Sequence, residues 1–253
     1  MDLFALVTPV ELSLCVALAF VAGVVKGVVG FAMPMIMISG LGSIVAPDLA
    51  LAGLILPTLV TNGMQALRQG PGAAWSSVRR FRIFLVVGCA ALLLSAQLVT
   101  VLPVWLMLAL IGGPIVLFAL SQIAGRALVL PGADTRIEIA IAAVAGFFGG
   151  LSGVWGPPVV AYLTALHTEK AEQARIQGVI YGLGAVALAV AHIGSGVLNA
   201  ESAWFSLTLI PSAVMGMWLG GRLQDRIDQA MFRRATLWTL LIAGLNLLRR
   251  AFF

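Results

Sequence analysis

Apolar positions along this chain fall in tracts of roughly 20 residues, and charged or turn-forming residues cluster where one tract gives way to the next. A helix of that length spans a hydrocarbon core about 30 Å thick. The breaks place spans near 11–29, 31–46, 49–67, 82–102 and 104–125 in the first half of the chain. In the second half they place them near 137–153, 156–166, 175–197, 203–221 and 233–250. Because lipid satisfies no backbone polar group, the pattern predicts an all-α integral membrane protein of about ten helical segments in one polytopic domain, residues 1–253.

One stretch occurs twice. Residues 22–34 read AGVVKGVVGFAMP and residues 145–157 read AGFFGGLSGVWGP, an offset of 123 positions from 22 to 145. The matches are Ala22/Ala145, Gly23/Gly146, Gly27/Gly150, Gly30/Gly153 and Pro34/Pro157. A Gly-rich interruption ending in proline thus recurs at corresponding places in two halves, repeat 1 at about 11–126 and repeat 2 at about 137–250. Each half carries five segments, and an odd number makes equivalent segments cross in opposite senses. The expectation is a 5+5 inverted repeat with broken or re-entrant segments near the midplane. Residues 127–136, with Pro, Gly and charges, are the expected linker.

Composition agrees with the bilayer reading, since the chain is 61% hydrophobic and only 10% charged. Lys and Arg of the connections collect on one side, among them Arg79, Arg80, Arg82, Arg126, Lys170, Arg175 and Arg233, and only Arg249 and Arg250 fall opposite. The positive-inside tendency then sets both termini on the periplasmic side of a bacterial inner membrane. The net charge of +5 is a topology signal, so no nucleic-acid partner is invoked. The first segment lacks a basic region ahead of its apolar run and is expected to remain as a helix. Cys15 and Cys89 have no metal-ligand spacing and read as packing thiols, and neither a cofactor nor a metal is expected.

Glycine lets a chain leave helical dihedrals cheaply, and Pro34 and the pair Pro157 and Pro158 deny a donor where a helix would continue. A helix broken at membrane depth exposes amide N–H groups that only protein, water or a ligand can satisfy. Two such half-helix starts, one from each repeat, would aim positive dipole ends at a shared midplane cavity suited to an anion. The competing reading is that these glycines, like the pairs Gly178/Gly182 and Gly216/Gly220, only let helices pack closely.

Lys26 lies inside the first motif, where the second has Gly149. Burying such a cation near the bilayer centre costs about 2.5–3.5 kcal/mol on insertion scales, so it should face a polar interior or snorkel to the interface. A unit anion about 4 Å away at an effective dielectric of about 20 would return about 4 kcal/mol, more than a helix end supplies. Thr58, Thr61, Asn62 and Gln65 in the third span, Ser152 and Trp155 in the second motif, and Gln177 and Tyr181 in the eighth span are further polar candidates. Asn62 and Gln65, three apart, share one helix face. The backbone candidates run over Gly27 to Phe31 and Gly150 to Val154, so Gly27, Gly30, Phe31, Gly150 and Gly153 complete the expected substrate-binding set with Lys26. Arg175 is read mainly as a topology residue at the cytoplasmic mouth, and His192 as a hydrogen-bonded intramembrane histidine.

With its two glycine-rich, proline-terminated motifs, its length and its two sets of five segments, the chain resembles the TauE/SafE family of bacterial sulfite and organosulfonate exporters. The resemblance implies passage of sulfite or related sulfonates across the inner membrane, coupled to an ion gradient, with the binding role on Gly27, Gly30, Gly150, Gly153 and their neighbours. The resemblance assigns no role to Lys26, which is read as a mark of a particular substrate. Alternating access by one repeat moving against the other is the expected mechanism. A proton or sodium ion as coupling ion and a homo-oligomeric assembly remain open as partners. The other readings are a passive anion channel and a membrane assembly protein without a transported solute. No GxxxxGK[ST] segment and no paired carboxylates, metal-spaced histidines or Ser/His set argue for an ATPase or an enzyme.

Overall fold

The computed structural model describes residues 6–96, 103–125, 130, 134–152, 155–194 and 196–252. Among them every regular element is a helix: α1 (Pro9–Val29), α2 (Met33–Leu41), α3 (Pro47–Leu67), α4 (Pro71–Arg80), α5 (Arg82–Ala96), α6 (Val104–Ile123), α7 (Thr135–Ser152), α8 (Gly156–Ala165), α9 (Lys170–Gly194), α10 (Ala200–Arg226) and α11 (Gln229–Phe252). The helices Pro9–Val29, Asp48–Leu67 and Ala200–Arg226 are long and apolar enough to cross a membrane, and Arg82–Ser95 and Gly112–Ile123 are shorter apolar helices.

The expected segments at 31–46 and 156–166 form α2 and α8, of 9 and 10 residues. At about 1.5 Å per residue neither reaches across a bilayer. A helix absent from the expected spans is α4, which carries Arg79 and Arg80 in its last turn and packs the Arg79 guanidinium over the exposed ring of Trp75. Its apolar positions are too few to register as a span, whereas Pro71 at its first position marks a helix start. Shifting by 123 positions carries α1 to 132–152, α2 to 156–164 and α3 to 170–190, against the observed Thr135–Ser152, Gly156–Ala165 and Lys170–Gly194.

The chain divides into two compact units, and each takes helices from both halves of the sequence. Unit 1 comprises Met1–Pro71 and Ala174–Asp228, and unit 2 comprises Gly72–Gln173 and Gln229–Phe253. Within unit 1, α1 packs principally on α10, which also packs on α3. Glycines on both sides make that seam: a Cβ on Gly23 would meet the Ala213 carbonyl, one on Gly27 would meet Met217 and Gly221 backbone, and one on Gly216 or Gly220 would meet the Phe20 or Val24 carbonyl. The GxxxG pairs of the first motif and of α10 are therefore two faces of one close contact.

Caps and breaks follow from local chemistry. Pro9 opens α1 behind a capping box in which Thr8 Oγ1 accepts from Glu11 N while the Glu11 carboxylate accepts from Thr8 N. Pro57 inside α3 leaves the Gly53 carbonyl without its usual donor, and Ser206 of α10 supplies one at 3.2 Å. Around these contacts lies an apolar core that includes Met33, Met37, Leu41, Ile55, Phe205 and Leu209.

In unit 2 the leading pairs are α5 with α7 and α6 with α11. A Cβ on Gly146 would strike the Gly88 backbone, and one on Gly112 would lie 2.9 Å from the Gly244 carbonyl. The Glu138 carboxylate of α7 accepts from Phe84 N at 3.1 Å, filling an otherwise unpaired donor in the first turn of α5. Exchanging the two sequence halves turns the α1–α10 pairing into the α7–α5 pairing.

Candidate functional site

The first motif is a helix, a break and a second helix. α1 ends at Gly30, whose φ of 85° is left-handed and whose N–H still bonds the Lys26 carbonyl at 2.7 Å. Two residues later Ala32 takes φ 72°, a conformation that a side chain makes costly, and α2 starts with no side chain capping it. Phe31, Ala32 and Met33 are buried, so the first amides of α2 open into protein interior.

Lys26, one turn before the break, is only 2% exposed. Its ammonium donates to Asn62 Oδ1 of α3, and among the described residues no carboxylate lies within ion-pair distance of it. Snorkelling is thereby excluded. An ammonium has three donors, and the neutral amide answers one of them.

Asn62 is held from its other end, for Nδ2 donates to the Tyr181 carbonyl of α9 at 3.1 Å. One turn along α3, Gln65 Nε2 donates to the Gly30 carbonyl at 2.9 Å and to the Ala174 carbonyl at 2.6 Å. This close approach of α3 to α9 depends on Gly178, where a Cβ would meet Ala66 and lie 2.8 Å from the Gln65 carbonyl carbon, while Gly182 sits opposite Asn62. A side chain at Gly30 would occupy the place of Gln177 Oε1. Gly30 is thus required twice, for its dihedral and for its missing side chain.

The cluster has more hydrogen-bonding capacity than it uses. Among the described residues, both amide atoms of Gln177, which is fully buried, Gln65 Oε1 and Thr58 Oγ1 lack partners. Thr61 is satisfied by the Pro57 carbonyl at 2.6 Å. Each buried unsatisfied group costs about 1–3 kcal/mol. In this cluster Lys26 Nζ, Gln177 Nε2 and the Thr58 hydroxyl can donate hydrogen bonds and the two glutamine oxygens can accept them, a capability that suits a small oxyanion.

Lys26, Gly30, Asn62, Gln65 and Gln177 therefore come together in unit 1, drawn from both sequence halves, with Tyr181 contributing its carbonyl. Gly27 lies on the face of α1 that packs against α10. Gly150 and Ser152 lie in the last turn of α7 and Trp155 is the N-cap residue of α8, so the second motif is also interrupted. Gly153 and Val154 fall outside the described residues, as does most of the expected linker. Trp155 packs its side chain over Gly149, the position equivalent to Lys26. Arg175 donates to Gln69, and Arg68 binds the Asp225 carboxylate at 2.7 Å on the same unit.

The role of Ala32 escaped the sequence reading, because alanine carries no signal of left-handed backbone. No match to a curated protein or to a solved structure was found. The family model described as Sulfite exporter TauE/SafE matches residues 15–247, nearly the whole chain and both motifs, and so this all-helical membrane protein belongs to the TauE/SafE sulfite exporter family.

Proposed function

We propose that the chain is a secondary transporter of small anions, sulfite or an organosulfonate, that binds its substrate at Lys26. The observation that carries this reading is a buried ammonium whose one partner among the described residues is a neutral amide. Transfer of that charge into a helix centre costs about 2.5–3.5 kcal/mol on insertion scales. An anion in contact with it returns about 4 kcal/mol at an effective dielectric near 20. Gln177, Thr58 and the buried amides at the start of α2 orient the oxygens, and the interruption at 30–32 supplies the hinge through which α2 moves relative to α1.

Substrate release follows alternating access coupled to a proton or sodium gradient, with the two motifs as equivalent elements of an inverted repeat. The site draws residues from both sequence halves, which supports that architecture. The excess of Lys and Arg in alternate connections supports a bacterial inner-membrane protein with both termini on the periplasmic side.

The test is a thermal-shift series on the purified full chain with sulfite, sulfonates, carboxylates and inorganic anions, repeated on Lys26→Ala. A ligand that binds the folded form alone raises the melting temperature by mass action. Sulfite or a sulfonate should stabilise the parent and lose that effect in Lys26→Ala. An unchanged response in the variant removes lysine from the mechanism.

A further inference from the structure

Unit 2 contains a cavity of about 820 Å³ formed by α6, α8, the start of α9 and α11, made of residues other than those around Lys26. Its wall is chemically divided. Thr164 of α8, Gln173 of α9 and Thr236 of α11 are each more than nine-tenths buried, and Thr164 Oγ1, Gln173 Nε2 and Thr236 Oγ1 have no partner among the described residues. Arg233 and Arg234 join them, and Arg233 is held in place by donating to Gln122 Oε1 at 2.6 Å. No Asp or Glu lines the cavity among the described residues.

The opposite character appears along Ile123, Leu237 and Trp238, with Ile123 and Trp238 exposed at the outer surface. Tryptophan with arginine at a helix end is the pairing found where a membrane meets water. Hydroxyl, amide and guanidinium groups together offer donors to a compact oxyanion, and the apolar strip offers cover to whatever that oxyanion is attached to.

We propose that this cavity binds a tetrahedral oxyanion group, phosphate or sulfonate, against Arg233, Gln173, Thr164 and Thr236, with any apolar remainder of the molecule lying along Leu237 and Trp238. The oxyanion belongs either to a free anion or to an anionic lipid head group. The inference is independent of the Lys26 reading, because it uses different residues.

The experiment uses the purified full chain carrying Lys26→Met, so that binding at Lys26 contributes nothing. Inorganic phosphate is titrated in a thermal-shift assay, and retention of phosphatidylglycerol against phosphatidylcholine is measured by native mass spectrometry. We expect saturable stabilisation by phosphate, which identifies a free-anion site, or selective retention of one phosphatidylglycerol, which identifies a lipid site. Arg233→Gln and Thr236→Val should each weaken the response by about tenfold or more, whereas Arg79→Gln, away from the cavity, should leave it unchanged. Thr236→Val keeps the side-chain volume, so it decides the matter if Arg233→Gln fails to fold. Absence of stabilisation by phosphate together with equal retention of the two lipids, or a Thr236→Val protein that binds like its parent, would overturn the proposal and leave the cavity to water.

Discussion

The two copies of the glycine motif share a backbone device and differ in chemistry. In the first, α1 breaks at Gly30 and Ala32, and Lys26 reaches Asn62 in a polar, under-satisfied cluster. In the second, α7 gives way to α8, but the residue at the lysine position is Gly149, and the ring of Trp155 fills the space that a side chain there would need. The counterpart of Asn62 is Ala185. The interruption, a property of glycine and proline, thus recurs in both copies, while the buried lysine stands in the first alone.

The largest expected effect breaks this asymmetry at its source. Lys26→Ala should lower affinity for the anion by a hundredfold or more, about 3 kcal/mol, in equilibrium binding on purified protein. Gly149→Lys should install no second site and should destabilise the fold, since its Cβ starts 2.9 Å from the Trp155 ring. A Gly149→Lys protein that binds a second anion would mean that the copies are chemically interchangeable.

Next comes the contrast between the seams that hold the motifs. Gly220→Ala drives a methyl into the Val24 carbonyl of α1, where backbone on both sides cannot yield, and should cost about 1–3 kcal/mol in thermal unfolding. Gly88→Ala on α5 meets its nearest neighbour at 3.6 Å and should be neutral or slightly stabilising. Equal melting temperatures for the two variants would show that the α1–α10 contact is looser than its geometry.

Gln177→Leu separates binding from folding at the cluster. Among the described residues its amide has no partner to lose, so stability should hold or rise, while anion affinity should fall by about tenfold. Loss of folding with unchanged affinity in the survivors would make the cluster a structural latch.

The smallest effect has opposite signs in the two copies. Ala32→Gly relieves a left-handed residue and should stabilise by about 1 kcal/mol, whereas at the equivalent position Trp155→Gly removes a ring packed on Gly149 from a residue with ordinary negative φ and should destabilise. Melting temperatures of the pair read both signs.

Much of this was legible in the order of residues. Apolar tracts of bilayer length, the recurrence of AGxxxG with a terminal proline, and one lysine in an apolar run identify a helical membrane protein, its broken segments and the centre of its candidate site, because each depends on local composition and on the covalent limits of glycine and proline. Asn62 and Gln65 were readable for the same reason, being polar residues three apart on one apolar helix.

Other features required the folded chain. That Gly27 serves a helix seam, that Lys26 turns inward to Asn62 instead of towards water, and that Gln177 lies against Gly30 are facts of which helices pass one another, and spacing along a chain does not state them. The same holds for the mixing of both halves within each unit and for the donor-lined cavity of Thr164, Gln173 and Thr236, three residues spread over 164–236 that were silent in sequence. Local chemistry decides where a helix can begin, break or bury a charge, while the partner that meets each side chain is chosen by long-range packing.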